Sequence, residues 1–264
     1  MAVVVYQWEG RAKTPSVIMS TPRGRDEPMI KYPKTPRIPQ ADQTGWVKFQ
    51  AVVSEKLDGA NAGISFEDGQ LTLQSRGHIL EGGRREAQFE LFKATSWSIF
   101  DKLQSALGDR YVLFGEWLYA KHRVFYDALP GYYMTYDVYD KEGGYFLSTP
   151  RRQALLEDIP LPEAPILHQG PFKKVNNFTQ YIGPTPFKTK DWRETLKTDA
   201  EALGLGDPMS HTDDSDLMEG VYIKVEDSER VVGRMKLPRA DFEKVRSDDS
   251  LWKRQIILPN KCAR

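Results

Sequence analysis

The run Lys56-Leu57-Asp58-Gly59-Ala60-Asn61 places a lysine among groups suited to making it a nucleophile. A free lysine, with a reference pKa of about 10.4, is protonated at neutral pH. It attacks an electrophile such as phosphorus only where burial or a cationic neighbour lowers that value. Gly59 lets a backbone approach closely, and the side chains of Asp58 and Asn61 can tie down a turn or hold a ligand hydroxyl. Read alone, the same six residues also fit an ordinary surface hairpin turn. Two further carboxylates, Glu116 and Glu219, stand at the ends of apolar runs, where a purely structural acid would be unusual.

The elements that must position these groups are mostly strands. Trp46 to Val53 reads as a strand ending just before Glu55, and Gly63 to Phe66 and Leu71 to Leu73 read as a hairpin across Glu67-Asp68-Gly69-Gln70, which places Lys56 in a turn between strands. Tyr111 to Glu116, Tyr132 to Tyr139, Gly220 to Val225 and Val231 to Lys236 carry the aromatic and β-branched content of strands. Helices are expected at Ala87 to Leu107, Arg151 to Glu157, Asp191 to Leu203 and Arg239 to Val245. Without a strand–helix repeat or an internal repeat, the pattern is α+β rather than a doubly wound sheet.

Composition adds bounds. The 264 residues carry 37 basic and 37 acidic side chains, so no global field announces a polyanionic partner. The charge is segregated, however: Asp199 to Glu219 holds seven acids and no Lys or Arg, Arg230 to Arg254 eight basic residues against four acids, and Arg11 to Arg37 seven against two. Local basic surface of this kind can bind phosphates. Six prolines between Pro15 and Pro39 suggest that residues 1–45 form an extended, poorly packed basic arm, with one domain over 46–264. A lone cysteine, Cys262, leaves no disulfide or cysteine-zinc site, and no apolar run is long enough to span a membrane. Both suit a soluble cytoplasmic protein. The four histidines show no metal-ligand spacing.

The hexapeptide at Lys56 resembles motif I of the covalent nucleotidyltransferases, and further elements follow in that superfamily's order. Ser75-Arg76-Gly77 resembles motif Ia, Phe114 to Trp117 motif III, Tyr136-Asp137-Val138 motif IIIa, Glu219 to Lys224 motif IV and Arg234-Met235-Lys236 motif V. The set is most similar to ATP-dependent RNA ligases of the T4 RNA ligase 2 type and spans roughly residues 50 to 240. It implies two antiparallel sheets with flanking helices enclosing a nucleotide cleft. It also implies that Lys56 takes AMP from ATP, that Glu219 holds Mg²⁺ or Mn²⁺, that Glu116 meets the ribose and that Tyr136 stacks on adenine. Arg76 would hold a phosphate, and Glu55 and Asn61 would complete the pocket. Lys236 and Arg234 lie two residues apart on a strand, so both would reach one phosphate while Met235 packs behind. Arg234 departs from the family's usual lysine.

The activity this implies is ATP-dependent sealing of RNA 5′-phosphate and 3′-hydroxyl ends, with an end-healing kinase-phosphatase as a candidate partner. A DNA ligase core, a capping guanylyltransferase or a non-catalytic RNA-binding protein of the same fold are the alternatives. The first two usually add an OB domain, and only the 28 residues after Lys236 are available for one.

Overall fold

The computed structural model describes residues 3–6, 17–20, 29–41, 43–173, 177–242 and 256–263. Its body is two antiparallel sheets. The first contains β3 (Gln50–Glu55), β9 (Ile166–Pro171), β10 (Gly220–Glu226) and β11 (Val231–Pro238), in the order β11-β10-β3-β9. The second contains β4 (Ala60–Glu67), β5 (Gln70–Ser75), β6 (Tyr111–Trp117), β7 (Tyr133–Asp140) and β8 (Tyr145–Phe146), in the order β5-β4-β6-β7-β8. A separate hairpin pairs β1 (Val3–Tyr6) with β2 (Val17–Ser20). The expected α+β class with two antiparallel sheets is what the chain adopts.

The hairpin between β4 and β5 closes on Asp68-Gly69, both at positive φ (51° and 71°). That is the type I′ geometry whose twist suits two-residue hairpins and which Asp-Gly tolerates. It fixes Glu67 opposite Gln70 and so sets which face of β4 is buried. Ile64 and Phe66 then join Phe92, Leu103, Leu107, Trp117 and Tyr133 in a core between this sheet and helices α1 (Glu90–Ser98) and α2 (Phe100–Leu107). A second core lies on one face of the other sheet, built by Val53, Val221, Ile223, Val225 and Met235 with Phe172 and Phe178. Outside the sheets lie α3 (Thr149–Leu155) and α4 (Trp192–Ala202), the latter burying Trp192 and Leu196 against Phe125 and Leu258.

Three expectations need correction. The strand expected from Trp46 begins only at Gln50, because Gly45, at positive φ, turns the chain into a 3₁₀ turn over Trp46–Lys48. Glu55 is consequently the last residue of β3, paired with Val221, and not beyond its end. The helix expected over Ala87 to Leu107 is a 3₁₀ turn followed by two helices, broken at Ile99 (φ −121°, ψ 24°). The five-residue step from Phe92 to Trp97 is out of phase with a 3.6-residue repeat, so one straight helix could not aim both ends at the sheet. The helix expected over 239–245 lies partly outside the described residues, of which 240–242 form a turn.

The basic arm drawn to residue 45 is packed over part of its length. Residues 29–41 lie against both sheets, with Thr35 buried and Ile38 against the second core. Most of residues 1–28 lies outside the described residues. Among the described residues no helix is long and apolar enough to cross a membrane.

Candidate active site

Strand pairing brings distant carboxylates to Lys56. The residue follows β3 directly, and its backbone N–H donates to Gly220 O at the start of β10 (2.9 Å). That register carries Glu219, one residue earlier, to within 2.7 Å of Lys56 Nζ through Oε2. On the other sheet Asn61 of β4 pairs with Glu116 of β6, and Glu116 Oε1 accepts the Gly59 N–H at 3.1 Å. Gly59 is required here, because a Cβ would sit 2.6 Å from Trp117 O.

The turn holding Lys56 is supported from behind. Asp58, itself buried, accepts Arg123 N–H (2.7 Å) and Val124 N–H (2.8 Å) on one carboxylate oxygen, and its own N–H donates to Tyr126 Oη (3.0 Å). Asn260, fully buried, clamps that loop in turn. Its Oδ1 accepts Tyr126 N–H (2.9 Å) and its Nδ2 donates to Leu118 O (2.7 Å).

A cleft of about 530 Å³ opens between the sheets, and Glu55, Lys56, Asn61, Arg76, Glu116, Tyr136 and Lys236 all line it. Glu219 meets it through Lys56. Arg234 is the sequence-expected residue that the structure does not bring there. It shares a face with Lys236, as its spacing requires, and Met235 is buried behind them. Its guanidinium instead packs 4.1 Å from the Phe146 ring and pairs with the buried Asp137 at 3.3 Å. Lys224 binds Asp137 from the other side at 3.2 Å. Burial would raise the Asp137 carboxyl, but Lys224 and Arg234 outweigh it and hold it below the usual range.

Electrostatics at Lys56 run opposite to the sequence-level expectation of a lowered pKa. Burial pulls the ammonium down, yet Glu219, Glu116 and Asp58 raise it above the ordinary value, so the resting lysine is a cation. Burial pushes Glu116 up to about 7, with Lys56 opposing and Glu219 and Asp58 adding to the rise. Lys236 is held below its ordinary value by burial and then by Lys56, with Arg37 and Arg76 adding to the effect. Three cations, Lys56, Arg76 and Lys236, thus line the cleft with Arg37 acting on Lys236 from beside it, an arrangement that favours a polyanion.

Burial also raises Glu55, again to about 7. Among the described residues neither of its carboxylate oxygens has a hydrogen-bond donor. The Thr185 hydroxyl and Lys188 lie close enough to favour the charged form, but outside hydrogen-bonding geometry. Asn61 donates through Nδ2 to Tyr136 Oη, and its Oδ1 is buried without a donor. Buried acceptors are normally paired, so among the described residues the Glu55 carboxylate and Asn61 Oδ1 are acceptors still short of a donor.

Several lining residues escaped the sequence reading. Tyr32 donates to Asp137 Oδ2 (2.5 Å), contacts Tyr222 Oη (2.8 Å) and meets the Tyr136 ring edge-on with centroids 5.2 Å apart. Thr35 contacts the same Tyr222 hydroxyl at 3.0 Å. His78, one of the histidines without ligand spacing, also lines the cleft; it meets Ser75 Oγ through Nδ1 (2.9 Å) and Glu86 through Nε2 (3.3 Å). Tyr32 carried a local signal in the repeated X-X-Pro pattern of residues 31–39, whereas His78 carried none.

Among the described residues no group of three or more His, Cys, Asp or Glu is arranged to hold a metal ion. The donors at hand, Glu219 and Glu116, are hard oxygen ligands. They suit a cation that completes its shell with water and substrate phosphate.

A family model described as RNA ligase matches residues 49–238. Similar solved structures include Naegleria gruberi RNA ligase in three mutant forms. One, with ATP and Mn, has 17% sequence identity and a TM-score of 0.54, covering 81% of this chain and 58% of that one. A second, with AMP and Mn, has 18% identity, a TM-score of 0.54 and the same coverage. An apo form has 18% identity and a TM-score of 0.55, covering 81% of this chain and 57% of that one. The chain therefore spans less than two thirds of these neighbours' length. No curated protein matches it.

Proposed function

The chain belongs to the RNA ligase family, and from that premise we propose that it uses ATP to join RNA 5′-phosphate and 3′-hydroxyl ends through an adenylate carried on Lys56. One observation carries the reading: Lys56 Nζ lies 2.7 Å from Glu219 in a cleft whose opposite features are a cationic wall and buried, donor-hungry acceptors. ATP matches both. Its triphosphate suits Lys236 and Arg76, its adenine amino group and ribose hydroxyls bring the donors that Glu55 and Asn61 Oδ1 lack, and Glu116, already accepting the Gly59 N–H, has a second oxygen to accept a ribose hydroxyl. Guanine presents a carbonyl where adenine presents that amine, which favours ATP over GTP.

In the first step Lys56 loses a proton and its nitrogen bonds to the α-phosphorus, while the bond to pyrophosphate breaks. A 5′-phosphate oxygen of the RNA then attacks that phosphorus, the N–P bond breaks and the lysine regains a proton. Finally a 3′-hydroxyl attacks the activated 5′-phosphorus and AMP leaves. Lys236 neutralises charge on the displaced phosphates, and Tyr136 offers a ring to the base. Mg²⁺ or Mn²⁺ at Glu219 would supply positive charge that weakens the carboxylate's hold on the Lys56 ammonium and offsets charge on the leaving phosphates. The Naegleria ligase forms with ATP or AMP and Mn support nucleotide and divalent-metal use here.

Beneath the cleft, Asp137 holds the two cations Lys224 and Arg234 in a charge-paired group of net charge +1 that sets the positions of Tyr32 and Tyr136. The test is incubation with labelled ATP or GTP and divalent metal, followed by sealing of matched RNA and DNA nicks. Transfer from ATP and faster sealing of RNA are expected. Equal rates on all-RNA and all-DNA nicks would replace the RNA reading with the DNA ligase one.

A further inference from the structure

Residues 31–39, Lys-Tyr-Pro-Lys-Thr-Pro-Arg-Ile-Pro, repeat every three residues: a cation, a packing residue, a proline. Three is also the repeat of the polyproline II helix, which rises about 3.1 Å per residue and has no internal hydrogen bonds. The segment has no helix or strand before Arg37, whose φ of −74° and ψ of 155° are polyproline II values. Each class of residue therefore occupies its own face. Tyr32, Thr35 and Ile38 turn inward, to Asp137 and Tyr222, to Tyr222, and to the second core respectively. Lys31, Lys34 and Arg37 are exposed.

Both ends of this ribbon are pinned. Gln74 of β5 donates to Ile30 O (2.8 Å), and the Lys236 N–H of β11 donates to Pro36 O (3.0 Å), with Arg37 bridged to Lys236. The ribbon thus passes from one sheet to the other along the cleft, and Tyr32, Pro33 and Thr35 form part of the cleft's wall. Its outward face is a row of cations about 9 Å apart by the polyproline II rise. The row leads to Lys236, and residues 29–41 contain no acidic side chain. Because the inner face is locked, the row is organised before any ligand arrives, which lowers the ordering cost of binding.

We propose that Lys31, Lys34 and Arg37 form a track for the sugar-phosphate backbone of the RNA strand, guiding its end past Lys236 to Lys56. This inference rests on the ligase reading above and adds to it the surface that holds the polynucleotide. Recognition there is by charge and spacing, independent of base sequence.

The experiment measures affinity of the full chain for a 5′-phosphorylated, nicked RNA duplex over a salt series, alongside labelled-ATP transfer to the protein. Each phosphate contact contributes about −0.7 (single strand) to −0.9 (duplex) to the slope of log K against log salt. The double variant K31A/K34A should therefore flatten that slope by about 1.4 to 1.8 units. It should slow sealing while labelling with AMP proceeds as in the parent. K31R/K34R should keep the parent slope, and Lys102→Ala, on α2, should leave it unchanged. A parent-like slope in K31A/K34A, or an equal change in the Lys102→Ala control, overturns the track. Absence of ATP transfer in the parent protein would instead overturn the ligase reading itself.

Discussion

Glu55 offers a direct test of the electrostatics, because its carboxylate is buried, lines the cleft and meets no hydrogen-bond donor among the described residues. Burial raises its pKa from 4.5 to about 7. The folded protein therefore holds a proton there that the unfolded chain gives up, so this group's contribution to stability falls as pH rises from about 4.5 through about 7. At 1.36 kcal/mol per unit the full window amounts to about 3 kcal/mol, of which about 2.5 kcal/mol falls between pH 5 and pH 8. Glu55→Gln keeps the shape and removes the titration. Urea unfolding of parent and variant at both pH values isolates the effect, since any constant packing difference cancels. The variant should gain about 2.5 kcal/mol relative to the parent on going from pH 5 to pH 8. A difference between the two proteins that does not change with pH would refute the reasoning and mean that Glu55 finds a donor or water in solution.

Three other outcomes are expected. Lys56→Ala should abolish the one-adenylate mass increase that ATP produces in the parent, read by intact mass spectrometry; normal labelling would exclude Lys56 as the nucleophile. Glu219→Ala should lose adenylylation across the whole Mg²⁺ or Mn²⁺ range, whereas Glu116→Gln should mainly weaken ATP binding; identical metal dependence in the two would mean their roles are misassigned. Asp137→Ala should cost about 3–5 kcal/mol in urea unfolding, because it strands Lys224 and Arg234 as buried unpaired cations. A loss below about 1 kcal/mol would show that water reaches them.

What was legible in the sequence followed short-range rules. The Asp68-Gly69 turn, the strand ending at Glu116 and the face shared by Arg234 and Lys236 all depend on local chemistry and a period of two. The neighbourhood of each side chain did not follow. Arg234 and Lys236 point the same way, yet the first pairs with Asp137, 97 residues away, and only the second reaches the cleft. Similarly, nothing near Lys56 announces that three carboxylates would hold its ammonium protonated, since two of them, Glu116 and Glu219, arrive from other strands. Trp46 looked like strand because its composition suited one; positive φ at Gly45 and packing of its ring 5.7 Å from Phe172 decided otherwise.

The clamp made by Asn260 has a consequence for synthesis. Both sheets are complete in the chain by Pro238, but the loop that supports Asp58 is tied by side-chain and backbone bonds to residues 258–263, including Lys121 N–H to Leu258 O and Leu129 N–H to Lys261 O. During translation the sheets can therefore assemble around the cleft while the turn that holds Lys56 is still unlatched. On the proposed ligase reading, a growing polypeptide would be kept from consuming nucleotide until segment 256–263 has left the ribosome and docked, so folding order would time the onset of that chemistry.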